Sequence, residues 1–107
     1  MPHAPTGITP AGPITVTTGN IFNWLITLPP LQYEITIDAA YCQSGSDYDA
    51  TEPGSSTLHL LPANTLKTGQ TGVVLEIGAT NVSTIAGAGS GSTFGTVNLV
   101  EHTFDTN

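Results

Sequence analysis

The sequence predicts an all-β protein, a small single-domain antiparallel sandwich or barrel with an extended, proline-rich N-terminal arm. Apolar and polar residues alternate with the two-residue period of a strand from residue 31 to residue 41, and no segment sustains the 3.6-residue period of a helix. The 107 residues include 18 threonines, whose branched side chains favour strands. A chain of this length accommodates one domain with one modest core.

The first 13 residues are predicted to form the arm, and residues 14–107 the β domain. Prolines at positions 2, 5, 10 and 13 exclude a helix there and favour extended backbone. Such an arm is either a disordered tail or a segment that lies across a neighbouring subunit or adds to a sheet edge. Ile8 and Ile14 favour contact with a partner, because a solubilising tail needs no apolar anchors.

The first strands are predicted at residues 14–18 and 21–28, joined by a tight turn at Gly19 and Asn20. Two prolines end the second strand, and the alternating run 31–41 forms the third. Residues 43–56 are rich in glycine, serine and aspartate, which predicts a long loop.

The second half of the chain predicts shorter elements. Its strands are expected at 57–61, 72–77, 81–86 and 93–104. In the last strand the apolar positions change face between Leu99 and Val100, which predicts either a β-bulge or burial on both sides of the strand. Residues 62–69 allow one helical turn, and residues 86–92 form a flexible glycine-rich link.

The charge pattern excludes some classes of partner. The net charge of -7 comes from eight carboxylates and one cation, Lys67, and charged residues make up only 8% of the chain. Affinity for DNA or RNA depends on lysine and arginine, so the sequence predicts no nucleic-acid partner. Anionic membranes are disfavoured for the same reason, and no apolar run is long enough to span a bilayer. The single cysteine, Cys42, is predicted to be a buried apolar residue, in keeping with a reducing compartment.

Two features of the predicted loop are candidates for binding. Asp47, Asp49 and Glu52 form a weak calcium candidate, although the spacing of an EF-hand is missing and a solvated acidic loop is the favoured interpretation. Tyr48 is predicted to be exposed and available for a contact or for stacking on a sugar.

The sequence predicts no catalytic residues, no metal site and no cofactor, and therefore no enzyme. His3, His59 and His102 are too scattered for metal ligation, and they are interpreted as a tail residue and two solvent-facing strand residues. No nucleophile elbow of the form G-x-S-x-G is present. The glycines after residue 86 lack the lysine of a phosphate-binding loop.

In length, extended N-terminal segment and compact β character, the chain resembles the small decoration, or cement, proteins of tailed-bacteriophage capsids. The resemblance covers the whole chain in character and includes no motif, so no family residue is carried over. It implies a structural protein of the virion, located on the capsid surface and made in the host cytoplasm, that stabilises the phage head by binding across capsid subunits. The implied partners are the major capsid protein or another virion protein, and the chain itself as a homotrimer.

On this interpretation the arm lies on a capsid subunit, and apolar strand residues join the protomers. The residues expected at these interfaces are Ile8, Pro10, Pro13 and Ile14 in the arm, with Phe22 and Trp24 between protomers. Two alternatives stay open. One is a carbohydrate- or receptor-binding β module of a fibre or adhesin that uses residues 43–56 with Tyr48, and the other is a tail-tube or head-completion protein.

Overall fold

The fold is a sandwich of two antiparallel sheets, seen in a computed structural model that describes residues 5–84 and 93–107, with side-chain surroundings for residues 5–80 and 98–107. The strands are β1 (Thr6–Thr9), β2 (Asn20–Leu25), β3 (Gln32–Ile37), β4 (Tyr48–Pro53), β5 (Leu58–Leu61), β6 (Val73–Thr84) and β7 (Thr93–Phe104). One sheet has the order β1-β2-β5 and the other the order β4-β3-β6-β7. The all-β class and the antiparallel sandwich are therefore confirmed.

Strand alternation builds the core between the two sheets. In β3 the side chains of Tyr33, Ile35 and Ile37 point inward and are fully buried. The ring of Trp24 on β2 lies 5.2 Å from that of Tyr33, so it bridges the sheets through an edge-to-face contact. The rest of the core comprises Ile14, Val16, Phe22, Cys42, Leu61, Leu66, Val73, Leu75, Ile77, Ala79 and Phe104.

The N-terminal segment packs on the chain's own domain. Strand β1 pairs with β2, with Thr6 opposite Leu25, and becomes the edge of the three-stranded sheet. The carbonyl oxygen of Pro10 then accepts a hydrogen bond of 2.7 Å from Nε2 of His102 on β7, in the other sheet. The segment therefore passes from one sheet to the other along one side of the sandwich.

Ile14 completes this connection. Its N–H donates to the carbonyl of Asp105 at 3.0 Å, and its carbonyl accepts from the N–H of Asn107 at 2.9 Å. Residues 5–14, which we call the strap, thus hold the two sheets together. The expectation that this part of the arm extends to a neighbouring subunit is corrected, because its backbone and its buried residues Pro5 and Ile14 are already used within the domain. Residues 1–4, including His3, lie outside the described residues.

The strands predicted at 14–18, 21–28 and 31–41 differ from those observed, and β2 ends at Leu25 rather than at residue 28. Residues 15–18 form a turn rather than the first strand of a hairpin. The run 31–41 is a strand only to Ile37, after which Ala39–Tyr41 forms a single 3-10 turn. The carboxylate of Asp38 causes this change, since it accepts the N–H of Ala40 at 2.8 Å and caps the turn.

Other elements also differ from prediction. The predicted loop 43–56 contains strand β4, and the separate strands at 72–77 and 81–86 are one strand, β6. Residues 62–69 form turns without a helix. Strand β7 has the predicted bounds. Its register with β6 is continuous and Leu99 is exposed, so the prediction of a bulge or of burial on both sides at this position is wrong. The predicted link at residues 86–92 lies outside the described residues.

Candidate functional site

Three polar side chains meet between the sheets where β4 and β5, the edge strands of the two sheets, lie side by side. Tyr48 and Glu52 are four residues apart on the inward face of β4, and His59 points inward from β5 with 6% exposure. The Tyr48 hydroxyl lies 2.6 Å from Nε2 of His59, and Nδ1 of His59 lies 2.6 Å from Oε2 of Glu52. Because an ionised carboxylate only accepts, the N–H at Nδ1 of His59 donates to Glu52, and Nε2 faces the Tyr48 hydroxyl.

This polar triad has the order of groups, carboxylate to imidazole to hydroxyl, that activates a serine in hydrolases. The phenol here is not activated, since burial raises the pKa of Tyr48 and the negative charge of Glu52 raises it further. The two cavities beside the outer surface of the four-stranded sheet are lined by other residues. The geometry is suited to joining two edge strands, and we interpret the triad as a clamp between the sheets.

The clamp was not predicted, and it changes the role of the loop candidates. Tyr48 lies in a strand and its hydroxyl is engaged, so it is not the exposed loop contact that was expected. Asp47 Oδ1 accepts the N–H of Ala39 at 2.8 Å, whereas Asp49 points outward from β4 and Glu52 points inward. Since Asp49 and Glu52 lie on opposite faces of one strand, the calcium candidate is corrected.

The histidines were also assigned to the wrong face. His59 and His102 both point into the space between the sheets instead of toward solvent. Had Tyr48–Pro53 been recognised as a strand, alternation would have placed Tyr48 and Glu52 together on one face. The third member, His59, comes from the opposite sheet, and no local sequence pattern predicts its contact with Tyr48 and Glu52.

The outer surface of the four-stranded sheet is acidic. Glu76 on β6 stands directly opposite Glu101 on β7, and Asp49 on β4 lies in the same row on the other side, beyond Thr36 of β3. We call the outward carboxylates of this sheet the acidic face, which comprises Glu34, Asp38, Asp47, Asp49, Glu76 and Glu101. This face repels phosphates and carboxylates, because six of the eight acidic residues of the chain lie on it.

An open cavity of about 210 Å³ is sunk into the acidic face and is lined by Asp38, Asp47, Asp49 and Glu76. Like charges this close on a sheet oppose each other. Within residues 5–84 and 93–107, however, no group of three histidine, cysteine or acidic side chains has the arrangement needed to hold a metal ion.

The outer surface of the three-stranded sheet is apolar. Ile21, Leu25, Leu58 and Leu60 are 53%, 68%, 46% and 54% exposed. In register, Ile21 is opposite Leu60, and Asn23 is opposite Leu58. We call these five residues the apolar face, which contains no charged side chain. Exposed apolar patches on small soluble proteins commonly mark sites of contact with another molecule.

The predicted interface residues lie elsewhere. Phe22 and Trp24 alternate with Ile21 and Leu25 along β2, but they point inward and are buried, as is Ile14. Their assignment to an interface is corrected, since contact with a partner would require opening the core. Ile8 packs against the core, Pro10 is part of the strap, and Pro13 is exposed. The sequence could not separate the two faces of β2, because both carry large apolar residues.

Alkaline pH is expected to lower the free energy of unfolding. Burial raises the pKa of Tyr48. Burial also raises the pKa of the Cys42 thiol, and the negative charges of Asp47 and Asp38 raise it further. In the unfolded chain these groups titrate near about 10 and about 8.5. Because the folded state holds both protons to higher pH, this stabilisation is complete below about pH 8 and is lost as the pH rises through the folded pKa values.

Urea unfolding between about pH 7 and pH 11 measures this effect. Cys42→Ala removes the thiol and Tyr48→Phe removes the phenol hydroxyl. Each variant should show a smaller decrease in the free energy of unfolding at alkaline pH than the wild-type protein. Equal unfolding midpoints at about pH 8 and pH 10.5 would contradict the assignment.

Comparison with known proteins gives no relative on which to base a function. Within the described part of the chain, no helix has the length and apolar character that crossing a bilayer requires. A scan of protein-family models finds no match to the sequence, and searches of curated proteins and of solved structures also return no similar protein.

Proposed function

We propose that the protein is a structural component of a virion, a capsid decoration or cement protein that stabilises a phage head by binding across capsid subunits. The observation that carries the proposal is the separation of its surface into an apolar, uncharged face and an acidic face, on a domain whose inward polar groups serve the fold. Such a surface favours protein partners. With one cation in the chain, nucleic acid is a poor partner.

The proposed mode of action is burial of surface area without chemistry. A module of this kind adds modest contacts at many equivalent positions of a shell, and the summed contacts resist expansion and heat. No catalytic role is proposed, because the raised pKa of Tyr48 keeps the phenol of the triad protonated. The capsid surface, after synthesis in the host cytoplasm, is the location that fits this role.

Within the predicted arm, residues 1–4 are the part that lies outside the strap. Residues 5–14 form the strap, so a deletion of residues 1–13 would remove β1 and unfasten the sheets. Residues 1–4 precede the edge strand β1 and can be removed without loss of any of these bonds. The informative deletion is therefore of residues 1–4.

The test is co-purification with virions. Density-gradient fractions of phage particles are examined by mass spectrometry for this chain, and particles grown with and without its gene are heated while DNA release is followed. We expect the chain in the particle fraction at a fixed ratio to the major capsid protein, and earlier DNA release in its absence. A chain found only outside the particles, with unchanged heat resistance, would overturn the proposal.

The carbohydrate-binding alternative loses its main support, because the Tyr48 hydroxyl is bonded to His59. The tail-tube or head-completion alternative stays a prediction, and rings or tubes in solution would favour it. The homotrimer also stays a prediction.

A further inference from the structure

We propose that a second copy of this chain covers the apolar face, in a two-fold contact between the three-stranded sheets of two molecules. This inference does not rest on the virion role. The face is formed by two neighbouring strands of one sheet, with Ile21 paired to Leu60 and Asn23 paired to Leu58, so it presents a continuous surface. Two such sheets stack face to face at about 10 Å, as the sheets of a sandwich do.

The distribution of charge favours a second copy in this orientation. Each molecule carries a net charge of -7, so two copies repel each other in most relative positions. When the apolar faces meet, both acidic faces point outward and are separated by two complete sandwiches. That separation exceeds about 20 Å from the sheet spacing, whereas the Debye length is about 8 Å at physiological ionic strength. This contact is therefore the one in which the repulsion is most nearly screened.

The face is also chemically complementary to itself. Its four aliphatic side chains match another aliphatic surface, and Asn23 lies among them, flanked along β2 by Ile21 and Leu25. An amide both donates and accepts, so an Asn23 near a two-fold axis can bond to the same residue of the other copy. Single buried asparagines fix the register of paired helices in this way. A charged partner would find no opposite charge on this face.

The size of the face sets the strength of the contact. Its two strands, of six and four residues, span an area roughly 10 Å wide and 20 Å long. A stable interface takes about 800 Å² of accessible surface from each partner, more than this face supplies. We therefore expect a reversible dimer with a dissociation constant in the range of about 10 µM to 1 mM.

Sedimentation equilibrium of the purified full-length chain, from about 1 µM to 1 mM, tests the proposal. The average mass should rise from 11.0 kDa toward twice that value. Raising the salt from about 0.05 M to 0.5 M should change the dissociation constant by less than about threefold, because the facing surfaces carry no charge. A contact through the acidic faces would instead tighten steeply with salt, and that result would overturn the proposal.

A pair of matched variants locates the contact. Leu60→Asp places a carboxylate in the apolar face and should weaken association at least tenfold. Leu99→Asp adds the same charge at a leucine that is 64% exposed on the outward side of the other sheet, and it should leave association unchanged. Equal weakening by both variants would overturn the proposal. Thermal melting of each variant checks that the domain is folded.

Hydrogen exchange provides a readout that needs no substitution. Protection of residues 20–25 and 58–61 should increase with protein concentration in the wild-type chain. A chain that stays monomeric to 1 mM, with protection of these strands only inside virions, would overturn self-association and assign the face to another virion protein. Failure of the virion role appears separately, as absence of the chain from particles.

Discussion

Replacement of His59 by alanine is expected to lower the free energy of unfolding by about 3 kcal/mol. The substitution removes both hydrogen bonds of the clamp, at 2.6 Å to Tyr48 and 2.6 Å to Glu52, and leaves a carboxylate with 25% exposure and no partner there. An unpaired, largely buried acceptor costs more than the bond it once made. The strands β4 and β5 also lose the side chain that joins them. Urea unfolding at pH 7 measures the change.

A double-mutant cycle distinguishes the energy of the His59–Glu52 hydrogen bond from the packing that is lost when either side chain is truncated. His59→Ala and Glu52→Ala should each be destabilising, and the double variant should be more stable than the sum predicts by at least about 1.5 kcal/mol. His102→Ala is the control for loss of a partly buried imidazole: its ring bonds to the carbonyl of Pro10 and not to Glu52, so it should show no coupling to Glu52→Ala. If His59→Ala unfolds at the same urea concentration as the wild-type protein, the clamp has no structural role.

Replacement of Gly54 by alanine is expected to destabilise the fold by at least about 3 kcal/mol. A Cβ atom at this position would lie 1.7 Å from the carbonyl oxygen and 2.8 Å from the carbonyl carbon of Pro30. That backbone has little room to move, because the N–H of the next residue, Leu31, donates to Thr80 and its carbonyl accepts from the N–H of Gly54. The clash is therefore relieved only by separating β4 from its neighbour.

Gly12→Ala is the matched control for this effect. Apart from Gly12 itself and its two chain neighbours, nothing lies within 4 Å of a Cβ built at this position, so the substitution should change stability by less than about 0.5 kcal/mol. Thermal and urea unfolding of the two variants in parallel measure the difference. An alanine at Gly54 that melts with the wild-type protein would show that the Pro30 backbone yields more easily than its hydrogen bonds indicate.

The regular parts of the fold were predictable because their signal is local. Alternation in residues 31–37 placed Tyr33, Ile35 and Ile37 on one face, and the structure buries all three. The same pattern continued through Tyr41 in the sequence, yet the strand ends at Ile37 because the carboxylate of Asp38 bonds to the backbone two residues on. The end of β3 is therefore set by the local cap at Asp38, which hydrophobic periodicity does not reveal.

The candidate surfaces were less predictable because they depend on pairing. The segment Tyr48–Pro53 contains aspartate, glutamate and proline, which are poor strand residues, and it becomes a strand by pairing with β3 along its full length. In β5 the leucines at 58 and 60 lie on one face, with His59 and Leu61 on the other. Hydrophobicity alone would turn Leu58 and Leu60 inward, and only the distant partners Tyr48 and Glu52 explain why His59 takes that place.

The strap has a consequence for proteolysis, because it adjoins the one position at which trypsin can cut the chain. Lys67 is the only lysine or arginine in the sequence. Its N–H donates to the carbonyl of Tyr41, and its own carbonyl accepts from the hydroxyl of Thr106, whose neighbours Asp105 and Asn107 bond to Ile14 of the strap. A protease needs an extended, unpaired segment, so cleavage requires these bonds to open first. A single cut after Lys67 therefore reports the opening of the domain.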